Sequence, residues 1–327
     1  MAVNPSDIPV QNSSGRYDNV DFKKATGFEY PPIKCSYNRR DVLIFANAIG
    51  IPSEELHFMY ELDPHFSVFP TFASNLAFKQ TDHDVFDFIQ RTTTTPVPGV
   101  PPADPQRSVD GERGIEIVRP LPTSSEGLDL EIRGKVLGVY DRGGNMILEA
   151  EQSLLDVKTN TVYTKMSSTA FCVGQGGYGG PRGQSKPVIK VPETKPDAVH
   201  LYNTLPEQAA LYRLCGDYNP LHADGEFGKR AGFKGKILQG LCTWNIAAHG
   251  ILQKLGGSDP SRFKSFTARF KSVVYPGDIL ETRMWKTSTH TDLEHINFET
   301  IVKGDGRVAL SNGYAILRRP GGHSSKI

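Results

Sequence analysis

The feature that most limits how this chain can fold is a repeat: the same succession of elements is written once in each half. In the first half, Ser36 can cap a helix running through DVLIFANAIG, with Val42, Phe45, Ala46 and Ile49 at helical spacing. In the second, Thr204 precedes LPEQAALYRLCGD, where Leu205, Ala209, Leu211, Tyr212 and Cys215 are spaced alike. Both stretches run into a glycine, Gly50 and Gly216, the residue that best ends a helix in the left-handed conformation. Downstream, each half passes through a Pro-containing turn, VRPLP at Val118 and VYPGD at Val274, into alternating residues that suit a half-buried strand. Further strand pairs follow, MILEAEQSLLDV with VYTKMSSTAFCV and HINFETIVKG with VALSNGYAILR, joined by hydrophilic hairpin turns. The expectation is an α+β duplication, each half a helix followed by a mostly antiparallel sheet.

Two stretches break the pattern. Residues 92–105 (TTTTPVPGVPPADP) can continue neither a helix nor a central strand. Residues 173–187 (VGQGGYGGPRGQSKP) are Gly-rich and read as a flexible connector near the middle of the chain. The expected division is a first repeat over 1–175, a linker over 176–195 and a second repeat over 196–327. The second half holds LCTWNIAAHGILQKLG, apolar around most of its circumference and therefore expected to be a buried helix. Its counterpart, VFPTFASNLAFKQ, is shorter and less regular, which points to the second half as the one that keeps the chemistry.

Composition narrows the function. Among 327 residues, 37 Lys and Arg stand against 36 Asp and Glu, a net charge of +1, so no global field attracts nucleic acid or an anionic membrane. No apolar run is long enough to span a bilayer. The N-terminus has neither a basic start nor an apolar stretch, which argues against secretion. Cys35, Cys172, Cys215 and Cys242 are scattered, without a CxxC pair or a His cluster beside them. They read as buried thiols of a reducing compartment, not as a disulfide framework or a zinc site.

The densest polar constellation is CGDYNPLHAD from Cys215 to Asp224. An apolar helix ends at Gly216, and Asp217, Asn219 and His222 then fall on a loop held by Pro220. Such a loop can aim a carboxylate, an amide and an imidazole into one cavity. The carboxylate and the imidazole can hold a water and move protons; the amide can fix a carboxylate rotamer or a substrate oxygen. A turn followed by a helix cap explains the same string without any chemistry.

The flanks decide between these readings. YRLCGDYNPLH followed by KRAGFKGKILQGLCTW resembles the signature of the (R)-specific 2-enoyl-CoA hydratases, hydratase 2, in the MaoC-like branch of the hotdog fold. ARFKSVVYPGD, VRPLP and VGQGGYGG extend the likeness over most of the chain. The resemblance implies a double hotdog in which two repeats each wrap an antiparallel sheet around a helix, the first without its catalytic loop. It implies catalytic roles for Asp217, Asn219 and His222, and an oxyanion-hole N–H at Gly240. It further implies substrate contacts at Asp110, Gly111, Arg142, Tyr218, Pro220, Leu221 and Phe270. Asp110 departs from the pattern, since the family usually carries His there.

The implied reaction is reversible hydration of trans-2-enoyl-CoA to (3R)-3-hydroxyacyl-CoA in β-oxidation, with coenzyme A part of the substrate and no metal or separate cofactor. Lys229, Arg230, Lys234 and Lys236 are candidates for the coenzyme A phosphates. An acyl-CoA thioester hydrolase on the same fold and a non-catalytic acyl-CoA-binding protein are the rival readings. His57, in the first half's GIPSEELHFMYE, is expected to be structural. Ser325-Lys326-Ile327 resembles a peroxisomal signal, so the expected partners are acyl-CoA thioesters and an import receptor, with a homodimer left open.

Overall fold

The alternating stretches do form strands, and their pairing carries the repeat into three dimensions. The structure, a computed structural model, describes residues 3–14, 17–91, 95–104, 107–184, 187–290 and 292–320. The C-terminal Ser325-Lys326-Ile327 lies outside them, as do parts of the two Pro- and Gly-rich stretches. Ten strands are β1 (Ile33–Cys35), β2 (Ser108–Ile117), β3 (Leu130–Asp141), β4 (Met146–Asp156), β5 (Thr161–Cys172), β6 (Ala198–Asn203), β7 (Phe263–Phe270), β8 (Ile279–His290), β9 (Leu293–Val302) and β10 (Val308–Arg318).

They make one sheet in the order β1-β3-β4-β5-β2-β7-β10-β9-β8-β6. Outward from its middle, the first half runs β5, β4, β3, β1 and the second runs β10, β9, β8, β6. The two successions are the same, and every pairing between these strands is antiparallel. The halves meet where β2 pairs with β7, from Glu112 opposite Arg269 to Glu116 opposite Ser265. Joining there covers one edge of each sheet, which alone would present unpaired backbone groups.

Each half-sheet wraps a helix, but unequally. In the second half the helix Gly240–Gly256 runs for 17 residues, with Leu241 to Leu252 all buried. In the first half the counterpart is a 3-10 turn, Pro70–Asn75, and a single α-turn, Leu76–Lys79. Gln80, at φ 56°, ends it in the left-handed region. The architecture is a double hotdog with one complete and one shortened central helix. Its main core crosses the boundary between repeats, joining Phe45, Phe72, Tyr212, Trp244, Phe266 and Phe298. All four cysteines are buried and free.

Local details correct the sequence reading. Asn38, not Ser36, caps the helix Arg39–Ala48, because Asp41 three residues on answers it in a reciprocal capping box. In the second half the helix spans only Gln208–Arg213. Thr204 instead donates its hydroxyl to Asp278 O at 2.8 Å, and Leu205 is half exposed. Within the connector, the described residues are organised around a buried carboxylate: Asp141 accepts the N–H groups of Gly177 and Gly179 at 3.0 and 2.8 Å. Burial opposes ionisation of Asp141, yet these donors, with Tyr178 and Gly180, hold its carboxyl below the usual value. The expected flexible linker is thus fastened to the first repeat by its own glycine amides.

Candidate active site

The polar loop begins at a backbone conformation only glycine accepts easily. Gly216 has φ 115°, and a Cβ there would lie 2.6 Å from the backbone N of Lys79 in the first half. The chain then turns so that Asp217 and His222 point inward, 9% and 7% exposed. Pro220 opens the 3-10 turn Pro220–His222, and the Asn219 side chain caps it by accepting the N–H of Leu221 at 3.0 Å. The Asn219 backbone N–H reaches Asp217 Oδ1 at 3.4 Å. Asn219 therefore fixes the carboxylate through its main chain while its amide shapes the turn.

Asp217 and His222 are brought side by side. His222 Nε2 lies 3.8 Å from Asp217 Oδ2, too far for a hydrogen bond between them. His222 Nδ1 lies 2.9 Å from the carbonyl oxygen of Ile237. A carbonyl only accepts, so Nδ1 carries a proton toward it and Nε2 is the nitrogen turned toward Asp217. Burial raises the Asp217 carboxyl above its usual range; His222, the Asn219 N–H and Arg213 oppose this, and the Asp110 charge adds to it.

Asp110 is thereby electrostatically linked to the loop although it belongs to the other repeat. It sits on β2 where the pairing with β5 slips by one residue, and Gly111 is the extra residue of that bulge. A Cβ on Gly111 would come within 2.5 Å of the Phe171 ring. Arg113 holds the Asp110 carboxylate at 2.7 Å, a partner that sequence reasoning missed although it lies only three residues on. Gly240 opens the central helix, where no i−4 carbonyl within the helix is available to accept its N–H. Phe270 is brought against it, with ring carbons 3.2 and 3.3 Å from the position of a Cβ on Gly240.

Beside this end of the helix lies a cavity of about 110 Å³, lined by Phe78, Gly114, Ile115, Met166, Leu241 and Trp244 among others. Most of its wall comes from the first repeat.

The remaining expected residues have partners within the protein. Tyr218 packs edge-on against Phe86 of the first repeat. Arg142 donates to Arg182 O and Gln184 O, so its guanidinium is engaged by the connector. Lys229 pairs with Glu226 at 2.7 Å, Arg230 lies over Phe227, and Lys234 lies over Tyr275. Leu221 is half buried, with its carbonyl accepting the Ile237 N–H at 3.3 Å. The Ile237 carbonyl that orients His222 left no trace in residue types, because any residue would supply it.

Comparison with known proteins decides the family. Residues 35–174 match the MFE-2 hydratase 2 N-terminal domain and residues 188–306 the MaoC like domain. The chain is 34% identical over 306 residues to a protein of Arabidopsis thaliana named "Enoyl-CoA hydratase 2, peroxisomal", covering 88% of this chain and 92% of that one. The chain belongs to the hydratase 2 branch of the MaoC-like family. Among other members, a protein of Ajellomyces capsulatus named as a probable dehydratase is 44% identical, over 89% of this chain and 81% of its own. The solved structure of a MaoC-like dehydratase from Phytophthora capsici superposes with TM-score 0.82 at 35% identity, covering 91% of this hydratase 2 chain and 98% of its own.

Proposed function

We propose that this chain hydrates trans-2-enoyl-CoA to (3R)-3-hydroxyacyl-CoA through Asp217, His222 and Gly240. As a hydratase 2 it is a hydro-lyase of fatty-acid β-oxidation acting on acyl-CoA thioesters. The observation that carries the residue assignment is the fixed tautomer of His222, whose basic Nε2 faces the same space as the Asp217 carboxyl. A water held by both loses a proton as its oxygen adds to C3, and the pair returns a proton to C2. Negative charge gathers meanwhile on the thioester oxygen, where the Gly240 N–H at the helix N-terminus stabilises it. The reaction needs no metal and no redox group. The acyl chain runs into the cavity walled by Phe78, Met166 and Trp244, so the first repeat sets chain length.

Loss of enoyl-thioester absorbance across chain lengths, with chiral analysis of the product, tests this reading. Release of free thiol from saturated acyl-CoA would instead mark a thioester hydrolase. Binding without any change in absorbance would mark a carrier. The peroxisomal name of the Arabidopsis relative and the Ser325-Lys326-Ile327 terminus support import into peroxisomes. Import that is unaffected by deletion of those three residues would refute it.

A further inference from the structure

The first repeat reaches the catalytic loop at a second place, distinct from the acyl cavity. At the end of the shortened helix, Lys79 is only 7% exposed, unusual for an ammonium group. Its Nζ donates to Ser36 O at 2.9 Å and Asp82 O at 2.8 Å, and lies 3.4 Å from Asp41 Oδ2. All three of its N–H directions are therefore engaged, and the backbone of Lys79 is fastened to two segments of the first repeat. That backbone is the surface against which Gly216 packs, with room for no side chain between them.

A few residues later, Phe86 stands edge-on to Tyr218, ring centroids 4.8 Å apart at 80°. The Arg91 guanidinium covers the Phe86 ring at 4.0 Å. On the second repeat's side, the Arg213 guanidinium lies 5.5 Å from the centre of the Tyr218 ring. Gly216 and Tyr218 flank Asp217, so both neighbours of the carboxylate are held by the other repeat. A cleft of about 230 Å³ lies beside these contacts, lined by Arg40, Asp41, Lys79, Phe86 and Tyr218 among others.

We infer that Lys79 and Phe86 are positioning residues: the shortened repeat clamps Gly216 and Tyr218 and so aims Asp217 at the shared water. The inference rests on the proposed role of Asp217. It assigns the first repeat a part in turnover as well as in acyl-chain selection. Both side chains act on the loop through Gly216 and Tyr218, so their loss is expected to lower kcat.

The test compares Phe86→Ala, the charge-free double variant Lys79→Met/Asp41→Asn and Asp217→Asn in the full chain. Removing both charges avoids stranding a buried carboxylate, which would threaten the fold. Phe86 is partly exposed, and its truncation decides the matter if the double variant does not fold. The expected result is a kcat lowered by about 10- to 10²-fold, as small displacements of catalytic groups produce. KM and the acid limb of the pH–rate profile should stay unchanged. Folded variants with kcat within about two-fold of the parent, or with KM raised at constant kcat, would overturn the clamp. An Asp217→Asn protein that still hydrates would instead remove the reading on which it rests.

Discussion

His222 Nδ1 lies 2.9 Å from the carbonyl oxygen of Ile237, and this bond fixes which ring nitrogen faces Asp217. Fifteen residues separate the two in sequence. The tautomer is thus decided by the segment leading into the central helix, and so by the element that also presents Gly240. The segment that bonds His222 continues directly into the helix that starts at Gly240.

His222→Ala and Asp217→Asn should each lower hydration by roughly 10²–10⁴-fold. The proposed mechanism places both on one water, so the double variant should be little worse than the worse single one. Absorbance assays on purified, folded variants measure this; additive losses would mean that the two groups serve separate steps.

Asp217→Asn should also raise thermal stability at neutral pH. Burial raises the folded-state pKa of this carboxyl above its unfolded value, so the native protein binds the proton more tightly than the unfolded chain. Its contribution therefore favours folding at low pH and is lost as pH rises through the folded pKa. Asparagine removes that penalty. Melts from pH 4 to 8 should show the variant's advantage growing with pH, and a uniform loss of stability would contradict it.

Asp110→Asn should move the acid limb of the kcat/KM profile to lower pH. The Asp110 charge helps raise the Asp217 carboxyl, whereas that of Arg213 lowers it. Removing the first charge lets Asp217 ionise earlier, and Arg213→Gln should shift the limb the opposite way. Profiles that coincide with the parent's would show that neither charge is felt at the catalytic carboxylate.

Gly240→Pro should lower turnover by about 10²–10³-fold with little loss of helix stability. Proline removes the N–H at the first helical position, where its fixed φ is tolerated and Gln239 is already extended at ψ 134°. Gly240→Ala keeps the N–H but places a Cβ 3.2 Å from Phe270. It therefore reports the steric part alone, and equal losses in the two variants would deny the N–H a role.

His57→Ala should leave turnover within a few-fold while lowering stability by about 1 kcal/mol, a typical hydrogen-bond contribution. The His57 ring bonds Ser258 O at 2.8 Å, tying the first repeat to the far end of the central helix. A kinetic loss comparable with that of His222→Ala would mean the first repeat has chemistry of its own.

The strands, the repeat and the Asp217–His222 loop are legible in the residue order alone. Alternation, turn residues and the DYNPLH string are local, and local sterics and hydrogen bonding act on them wherever the chain goes. Helix starts were less legible: Ser36 and Asn38 can both cap, and only the reciprocal bond from Asp41 selects Asn38. The same holds for residues 173–184, whose glycines look flexible until the Asp141 carboxylate gathers their N–H groups. The contacts between the two repeats could not be read from the sequence. The Asp110 charge acts on Asp217 across the repeats, Gly216 packs on Lys79, and first-repeat side chains line the cavity beside the central helix. These contacts join residues far apart in the chain, and their energies depend on burial and distance, which exist only once the two sheets have merged.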